Sequence, residues 1–153
     1  MKGTGISMLI RETTEADLDQ ICLIEQKAFS EPWSRRDFSD SMKDLNNRYL
    51  VADIDGEIAG YCGYWGIAGE GCIYNIAVKK EHRGYGVGYR LLTELIRQGC
   101  AAGITAFTLE VRQSNTAALR LYESLGFKAA GIRRDFYSKP KEDAVIMWLK
   151  VIQ

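Results

Sequence analysis

The spacing of hydrophobic residues changes along the chain and divides it into helical and extended segments. After Gly86, apolar residues recur every three to four positions, which is the period of a helix with one buried face. That predicted face consists of Val87, Leu91, Leu92, Leu95 and Ile96. Short apolar runs such as 72–78 and 106–111, bounded by glycine and polar residues, predict strands. The two spacings alternate, which indicates a protein that combines a sheet with helices.

The first half of the chain is predicted to hold a strand, two helices and three strands. The first helix begins after Thr14 and stops before Pro32, because the residue before a proline is pushed out of helical geometry. Ser34 is expected to cap the second helix, and Asp55-Gly56 is a hairpin signal. The predicted elements are a strand at 8–13, a helix with Leu18, Ile21, Cys22, Ala28 and Phe29 on one face, a short helix to Asp44, and strands at 48–54, 57–67 and 72–78.

The second half is predicted to contain two helices and three strands. The elements are the helix from the glycines to Gly99 or Gly103, a strand at 106–111, a helix capped by Ser114 or Asn115, and strands at 127–137 and 144–151 around a polar loop at 138–143. Because a helix separates the strands at 72–78 and 106–111, these two are expected to be parallel. The order predicts a protein of the α/β class with a seven-stranded mixed sheet and helices on both faces.

Composition narrows the class of protein without identifying it. A chain of 153 residues is expected to form a single domain over 1–153, with 1–7 frayed. The formal net charge is zero, so no nucleic-acid partner is expected from bulk electrostatics. No apolar run approaches about 18 residues and the N-terminus lacks a signal region, so we expect a cytoplasmic protein without a membrane partner.

The cysteines and the single histidine argue against metal and nucleophilic chemistry. Cys22, Cys62, Cys72 and Cys100 have no paired spacing, so they are interpreted as reduced core residues and no metal site is expected. A catalytic triad would have to use His82, which lies in a charged segment just before the glycines.

The segment from 71 to 88 carries the clearest chemical signal. A strand-like run ends at Val78, and Gly84, Gly86 and Gly88 then open a helix. The unpaired N–H groups at a helix N-terminus bind anions, and glycine lets a phosphate approach the backbone. The spacing matches neither a nucleoside-triphosphate loop nor the dinucleotide motif, although Glu110 stands where a ribose-binding acid would stand. The segment therefore predicts a site for a phosphate-bearing cofactor.

Four sequence blocks resemble the GNAT superfamily of acetyl-CoA-dependent N-acetyltransferases, over essentially the whole chain. Within it the sequence is similar to the RimI-type branch, which acetylates the N-terminal alanine of a small-subunit ribosomal protein. The blocks are FSEPWS at 29–34, NIAV at 75–78 before the glycines, LEVRQSN at 109–115 with LYESLGF at 121–127, and RRDFY at 133–137 with EDA at 142–144 and Met147. The resemblance accounts for Glu110 without a dinucleotide.

The resemblance implies a role for each residue of the predicted cofactor and catalytic sites. Glu110 corresponds to the general base and Tyr122 to the general acid of a direct transfer in a ternary complex. An N–H near 76–78 is expected to stabilise the oxyanion. The implied acetyl-CoA contacts are Ile76, Ala77 and Val78 along the pantetheine, Arg83, Gly84, Tyr85, Gly86, Val87, Gly88 and Tyr89 at the pyrophosphate, and Asn115. Asn115 is equally suited to cap a helix.

The acceptor side leaves more alternatives open. Trp33, Arg134, Tyr137, Glu142 and Asp143 are candidates for binding a peptide, whose cationic N-terminus would suit the carboxylates. They also suit a solvated hairpin and, for Trp33, a core position. The aromatic residues at 33, 61, 64, 65 and 74 fit either a core or a cleft wall.

Two features depart from the branch pattern, and two other functions remain open. Arg83 stands where close relatives often have Gln, and Phe136 stands where Tyr is often found, which removes a hydroxyl beside the expected peptide site. The alternatives are a GNAT enzyme that acts on a small-molecule amine or a lysine side chain, and a non-catalytic acyl-CoA-binding module.

Overall fold

A computed structural model describes residues 7–151 of the chain, and of the segment expected to fray only Ser7 lies within that range. Seven strands form one mixed sheet in the order β1-β2-β3-β4-β5-β7-β6. The strands are β1 Leu9–Glu12, β2 Arg48–Ile54, β3 Glu57–Ile67, β4 Glu70–Val78, β5 Ala106–Arg112, β6 Lys128–Ser138 and β7 Lys141–Lys150. The helices are α1 Leu18–Ala28, α2 Arg35–Met42, α3 Val87–Ala101 and α4 Thr116–Ser124. This order confirms the predicted class and sequence of elements.

The largest boundary errors lie at turns. β4 begins at Glu70 rather than Cys72, because the turn is made earlier by Ala68 and Gly69, whose φ angles are 52° and 82°. The predicted polar loop at 138–143 is wrong: Ser138 already pairs with Lys141, so only residues 139 and 140 connect β6 and β7. The Asp55-Gly56 hairpin is confirmed, with positive φ at both residues as a two-residue turn of this kind requires.

The buried face of α1 differs in part from the predicted one. Phe29 lies outside the helix, in an extended conformation that ends it, and its side chain is 42% exposed. Cys22 is only half-buried. The residues that α1 buries are Leu18, Ile21, Ile24 and Glu25. The helix therefore buries a carboxylate among its apolar residues.

Helices cover both faces of the sheet. Along β2, Tyr49 and Val51 pack with α1 and α2, while Leu50 and Ala52 pack with α3, because successive side chains of a strand point to opposite faces. The α3 side holds Leu91, Leu92 and Leu95 with Tyr122 and Phe127 in one buried cluster. The predicted core face of α3 is confirmed, except that Ile96 is only partly buried.

A β-bulge at Tyr74 interrupts the alternation of side chains along β4, so that the residues after it point to the opposite face from the one expected. Gly63 pairs with Asn75 but Tyr64 pairs with Ile73, so Tyr74 has no partner on β3. As a result Ile73 and Asn75, although two residues apart, face opposite sides of the sheet: Ile73 lies in the α3 core and Asn75 accepts a hydrogen bond from the Tyr49 hydroxyl at 3.3 Å. Tyr74 itself is 49% exposed.

The strands β4 and β5 separate soon after they meet. They pair in parallel, as predicted, but only at Glu70–Cys72 against Ala106–Thr108. Beyond Cys72, β4 has only β3 as a partner, and beyond Thr108, β5 has only β7, among the strands of the described chain. The carboxyl-terminal halves of the two strands therefore border an opening in the sheet.

The segment between α1 and α2 is held by the buried carboxylate of Glu25. One oxygen, Oε2, accepts the Trp33 backbone N–H at 2.9 Å, and the other accepts the Tyr61 hydroxyl. Glu25 is 3% exposed, and burial raises the pKa of this carboxyl although both hydrogen bonds oppose the shift.

We predict that Glu25→Ala lowers the free energy of unfolding by about 2–3 kcal/mol, because two buried donors lose their acceptor. Glu25→Gln keeps an acceptor and should cost less. The folded protein binds the Glu25 proton more tightly than the unfolded chain, whose carboxyl has the ordinary pKa of 4.5, so wild-type stability falls as pH rises above that value. Chemical denaturation should therefore show a larger gap between wild type and Glu25→Gln near pH 4.5 than near pH 8; a constant gap would contradict the raised pKa.

Candidate active site

The open edge of β4 presents free backbone groups. Lys79 N–H donates to Ala59 O on β3 at 2.7 Å, and alternation along the strand turns the N–H groups of Ile76 and Val78 to the other side. Val78 O also faces that side, where it accepts the Arg83 Nε–H at 2.9 Å. Since no strand of the described chain pairs there, Ile76 and Val78 can donate to a bound molecule. This is the interruption of sheet pairing that an oxyanion donor requires.

The glycine loop leads directly from that edge into α3. Gly84 and Gly86 have φ angles of 85° and 79°, and a Cβ at either would meet no protein atom within 4 Å. The first bond of the helix runs from Arg90 N–H to Gly86 O, so the three preceding N–H groups, from Val87 to Tyr89, have no intrahelical acceptor. No acidic residue lies in the first turn. This combination suits a phosphate group.

Gly88 has a different reason to be glycine. A Cβ there would lie 3.1 Å from Leu121 Cδ2, so this residue lets α3 approach α4 closely. Asn115 accepts the Ala118 N–H at 3.1 Å and therefore caps α4, one of the two roles expected of it.

The segment before the glycines is held by Glu57. Its carboxylate bonds Lys79 at 2.8 Å and His82 at 3.1 Å. These contacts lower the pKa of the Glu57 carboxyl and fix the approach to the glycines.

Glu110 lies on β5 beside the opening. Its side chain is 19% exposed, and Oε2 is 3.4 Å from Arg133 Nε on β6. Burial raises the pKa of Tyr74 in the bulge of β4, and Glu110 adds a smaller contribution in the same direction. The structure thus brings the expected base to the side of the opening that faces the free N–H groups.

Tyr122 is buried on α4, with its ring 5.9 Å from that of Phe127. Burial raises the pKa of Tyr122 above its ordinary value of 10.0, with a further contribution from Tyr137. The phenol therefore stays protonated at neutral pH and can act only as a proton donor.

Tyr137 interacts electrostatically with both expected catalytic residues. Burial raises the pKa of Tyr137 to about 12, against the opposing charge of Arg112 and with contributions from Glu110 and Glu142. Tyr137 therefore lies within electrostatic range of Glu110 and of Tyr122.

The remaining acceptor-side candidates differ in their surroundings. Trp33 is half-buried in a row of aromatic rings. The centre of its ring lies 5.2 Å from that of Phe38 and 5.9 Å from that of Trp65. The ring centres of Trp65 and Tyr74 are 4.7 Å apart. This row runs from α2 to the bulge, whereas Tyr61 and Tyr64 belong to the core. Of the five aromatic residues that fitted either a core or a cleft wall, Tyr61 and Tyr64 are core residues, and the other three form the row.

The carboxylates near the β6–β7 turn already have partners in the protein. Glu142 accepts the Ser114 N–H at 2.7 Å and bonds Arg112 at 3.2 Å. Asp143 accepts the Asp135 N–H at 2.8 Å, and Arg134, whose side chain is 87% exposed, is 4.0 Å from it. These contacts support the hairpin and leave Trp33 and Tyr137 as the candidates nearer the opening.

Sequence reasoning missed Glu25, Arg112 and Arg133, which organise the site. Two of them were detectable: Glu25 follows Ile21 at helical spacing on the apolar face, and Arg112 follows Glu110 at strand spacing. Arg133 gives no local signal, because its position beside Glu110 depends on the pairing of β6 with β7.

Two further observations concern metal ligands and membrane-spanning helices. Among residues 7–151, no group of three or more His, Cys, Asp or Glu side chains is arranged to hold a metal ion, and the four cysteines are unpaired. Over the same range, no helix has both the length and the hydrophobicity to cross a membrane.

Comparison with known proteins agrees with this geometry. Residues 18–127 match the acetyltransferase (GNAT) family. The chain is 39% identical over 144 residues to the [ribosomal protein bS18]-alanine N-acetyltransferase of Escherichia coli (strain K12), covering 92% of this chain and 94% of the relative. The protein of the same name from Haemophilus ducreyi is 37% identical over 146 residues, which cover 92% of this chain and 99% of that relative.

Solved structures give the same result. The crystal structure of the ribosomal-protein-S18-alanine N-acetyltransferase from Escherichia coli superposes with a TM-score of 0.88 at 34% identity and covers 96% of each chain. The crystal structure of Ard1 from Thermoplasma volcanium superposes with a TM-score of 0.89 at 24% identity and covers 97% of this chain and 100% of that one. At this identity the likeness supports the fold alone. The chain belongs to the GNAT acetyltransferase family, whose members use acetyl-CoA as the acetyl donor.

We predict that Gly86→Glu abolishes acetyl-CoA binding, because both the bulk and the negative charge enter the space at the N-terminus of α3. Gly103→Glu is the matched control, since Gly103 has a φ of 96° and equally open surroundings at the opposite end of α3. Both variants should lose similar stability, about 1–2 kcal/mol. Calorimetric titration should show binding to Gly103→Glu only; tight binding to Gly86→Glu would place the phosphates elsewhere.

Proposed function

We propose that this chain acts as a single acetyltransferase domain that transfers acetyl from acetyl-CoA to the N-terminal α-amine of a protein, the N-terminal alanine of ribosomal protein bS18. The acceptor is that of the two curated relatives, which match over more than nine-tenths of this chain. The observation that supports the chemistry is the arrangement of a free strand edge, a glycine loop and Glu110 around one opening. Ribosomal proteins are made in the cytoplasm, and we propose that the reaction takes place there.

The proposed reaction is a direct attack in a ternary complex. The acceptor nitrogen forms a bond to the thioester carbonyl carbon while Glu110 takes the amine proton, directly or through a water. The oxyanion that develops accepts a hydrogen bond from the free N–H of Ile76 or Val78. The carbon–sulfur bond then breaks and the sulfur takes the hydroxyl proton of Tyr122.

The proton balance favours an α-amine as the acceptor. An α-amine titrates near about 7.7–8, whereas a lysine amine titrates near about 10.4, so a carboxylate base is better matched to the former. Tyr122 gives its proton to a thiolate that is less basic than the buried phenolate, so this transfer has to accompany the breaking of the carbon–sulfur bond. Afterwards Glu110 returns its proton to solvent and Tyr122 is reprotonated.

Ion pairing gives Arg133 a part in this scheme. The Arg133 guanidinium, 3.4 Å from Glu110 Oε2, is proposed to hold the Glu110 carboxylate in position for the proton transfer. Arg83, through Val78 O, links the glycine loop to the strand that supplies the oxyanion donor. Trp33 and Tyr137 are proposed to line the acceptor path, with Arg134, Glu142 and Asp143 supporting the hairpin that borders it.

The proposed acceptor is tested by release of CoA thiol with two short peptides, one with a free N-terminal alanine and one N-blocked with an internal lysine. Products are located by mass spectrometry. We expect acetylation of the alanine amine only. Transfer to lysine alone would overturn the acceptor, and binding of acetyl-CoA without transfer to either would favour a different amine or a non-catalytic module.

We predict that Glu110→Gln lowers kcat by about 10²–10⁴-fold, the usual contribution of a general base, while the Kd for acetyl-CoA stays nearly unchanged. Glu12→Gln, an exposed carboxylate on the edge strand β1, is the matched charge control. Steady-state rates across pH and direct binding measure the two quantities. Unchanged turnover of Glu110→Gln across the pH range would remove Glu110 from the mechanism.

A further inference from the structure

Arg112, the last residue of β5, holds the turn between β6 and β7. Its Nη1 donates to Pro140 O at 2.9 Å and to Glu142 Oε1 at 3.2 Å, and its Nη2 donates to Lys139 O at 3.1 Å. The guanidinium also lies 4.2 Å from the centre of the Tyr137 ring. The planar fork of arginine suits this set of acceptors, which a point charge could not span.

The same turn is bonded to the segment between α1 and α2. Ser30 Oγ donates to Lys139 O, the carbonyl that Arg112 also holds, and Ser138 Oγ donates to Glu31 Oε1 at 2.8 Å. The partners are more than 100 residues apart in sequence. We call residues 29–34 and 138–141, joined by these bonds, the acceptor bridge.

The bridge connects the two sides of the opening between β4 and β5. At one end Arg112 anchors it to β5, on the strand face that carries Glu110. At the other end Glu25 fixes the Trp33 backbone, and the Trp33 ring reaches the bulge of β4 through Trp65. The bridge and Glu110 therefore lie on the same face of the sheet, opposite to the α3 core.

Among the residues that hold the acceptor bridge, Arg112 makes the strongest contacts. Its side chain is 25% exposed and its bonds are charge-assisted, whereas Ser30, Glu31 and Ser138 are exposed and make single contacts. Three of the five N–H donors of Arg112 bond within the protein, all of them to the turn between β6 and β7. Loss of Arg112 would free the turn and weaken its connection to the segment that carries Trp33, which Glu25 still holds.

We propose that Arg112 is a positioning residue for the acceptor: it fixes the acceptor bridge across the opening and thereby sets the affinity for the acceptor amine. This inference rests on the proposed function, since it assigns the bridge to the acceptor side of the same site. It places acceptor affinity partly under the control of a residue that touches neither substrate.

The test compares Arg112→Gln with Arg97→Gln in the full chain. Arg97 is an exposed arginine on α3 that is likewise bonded to a carboxylate, Glu94, so it controls for the loss of one ion-paired guanidinium. For Arg112→Gln we expect KM for the alanine peptide to rise about tenfold, with kcat and the Kd for acetyl-CoA within about twofold of wild type. Arg112→Lys should be intermediate, because an ammonium can hold only part of the turn.

A general loss of structure would instead change kcat and cofactor affinity as well, and that outcome would overturn the positioning role. An unchanged KM in Arg112→Gln would overturn the inference while leaving the proposed function intact. If wild type acetylates a different amine, the proposed acceptor fails, and the same comparison on that amine still decides the role of Arg112.

A second pair of variants tests the bridge without Arg112, in case Arg112→Gln does not fold. Glu31→Ala removes the acceptor, and Ser138→Ala the donor, of one hydrogen bond between exposed residues. Each should raise KM for the peptide, and the double variant should raise it no further than the larger single effect. Fully additive effects, or no effect, would show that the bridge does not act on the acceptor.

Discussion

The separation of β4 from β5 after three paired residues is the constraint on which the rest of the site depends. Parallel strands joined by a helix would ordinarily pair along their length, and a fully paired β4 would have no backbone donor left for a substrate. The bulge at Tyr74 accompanies this separation and turns Asn75 toward the α1 side, where Tyr49 bonds it. The glycine loop then begins where the free edge ends, so the acyl group and the phosphates of one extended molecule can be held together.

Buried polar contacts, rather than hydrophobic packing alone, fix the segments that border the opening. A charge or amide removed from water destabilises the fold unless its bonds are complete, so Glu25 and Asn75 favour one arrangement over alternatives of similar hydrophobic content. Both lie on strands or helices and act on neighbouring loops or bulges. The molecule thus places its irregular backbone, at Trp33 and Tyr74, on rigid supports.

Much of the fold was predictable because local spacing decides it: the strands at Arg48–Ile54 and Glu57–Ile67 and the core of α3 follow directly from the hydrophobic pattern. The glycine loop was predictable because positive φ and an uncapped helix N-terminus have a local sequence signature. The pairing of strands that are distant in sequence has no such local signature. The early start of β7, the bulge of β4 and the partners of Glu110 and Arg112 follow from which strands meet, and a polar run such as 138–143 looks the same whether it is a loop or an exposed hairpin.

The irregular pairing of β6 has a consequence for the behaviour of the protein in solution. β6 is an edge strand of eleven residues whose side chains are almost all exposed, the kind of surface that recruits strands from other molecules. Residues 134–136 bulge against a single partner position, and Asp135 has a φ of 53°. The row of unpaired backbone groups is therefore interrupted, and charged side chains, among them Lys128 and Arg134, lie along it. Both features protect the molecule against edge-to-edge aggregation while the hairpin remains available to the site.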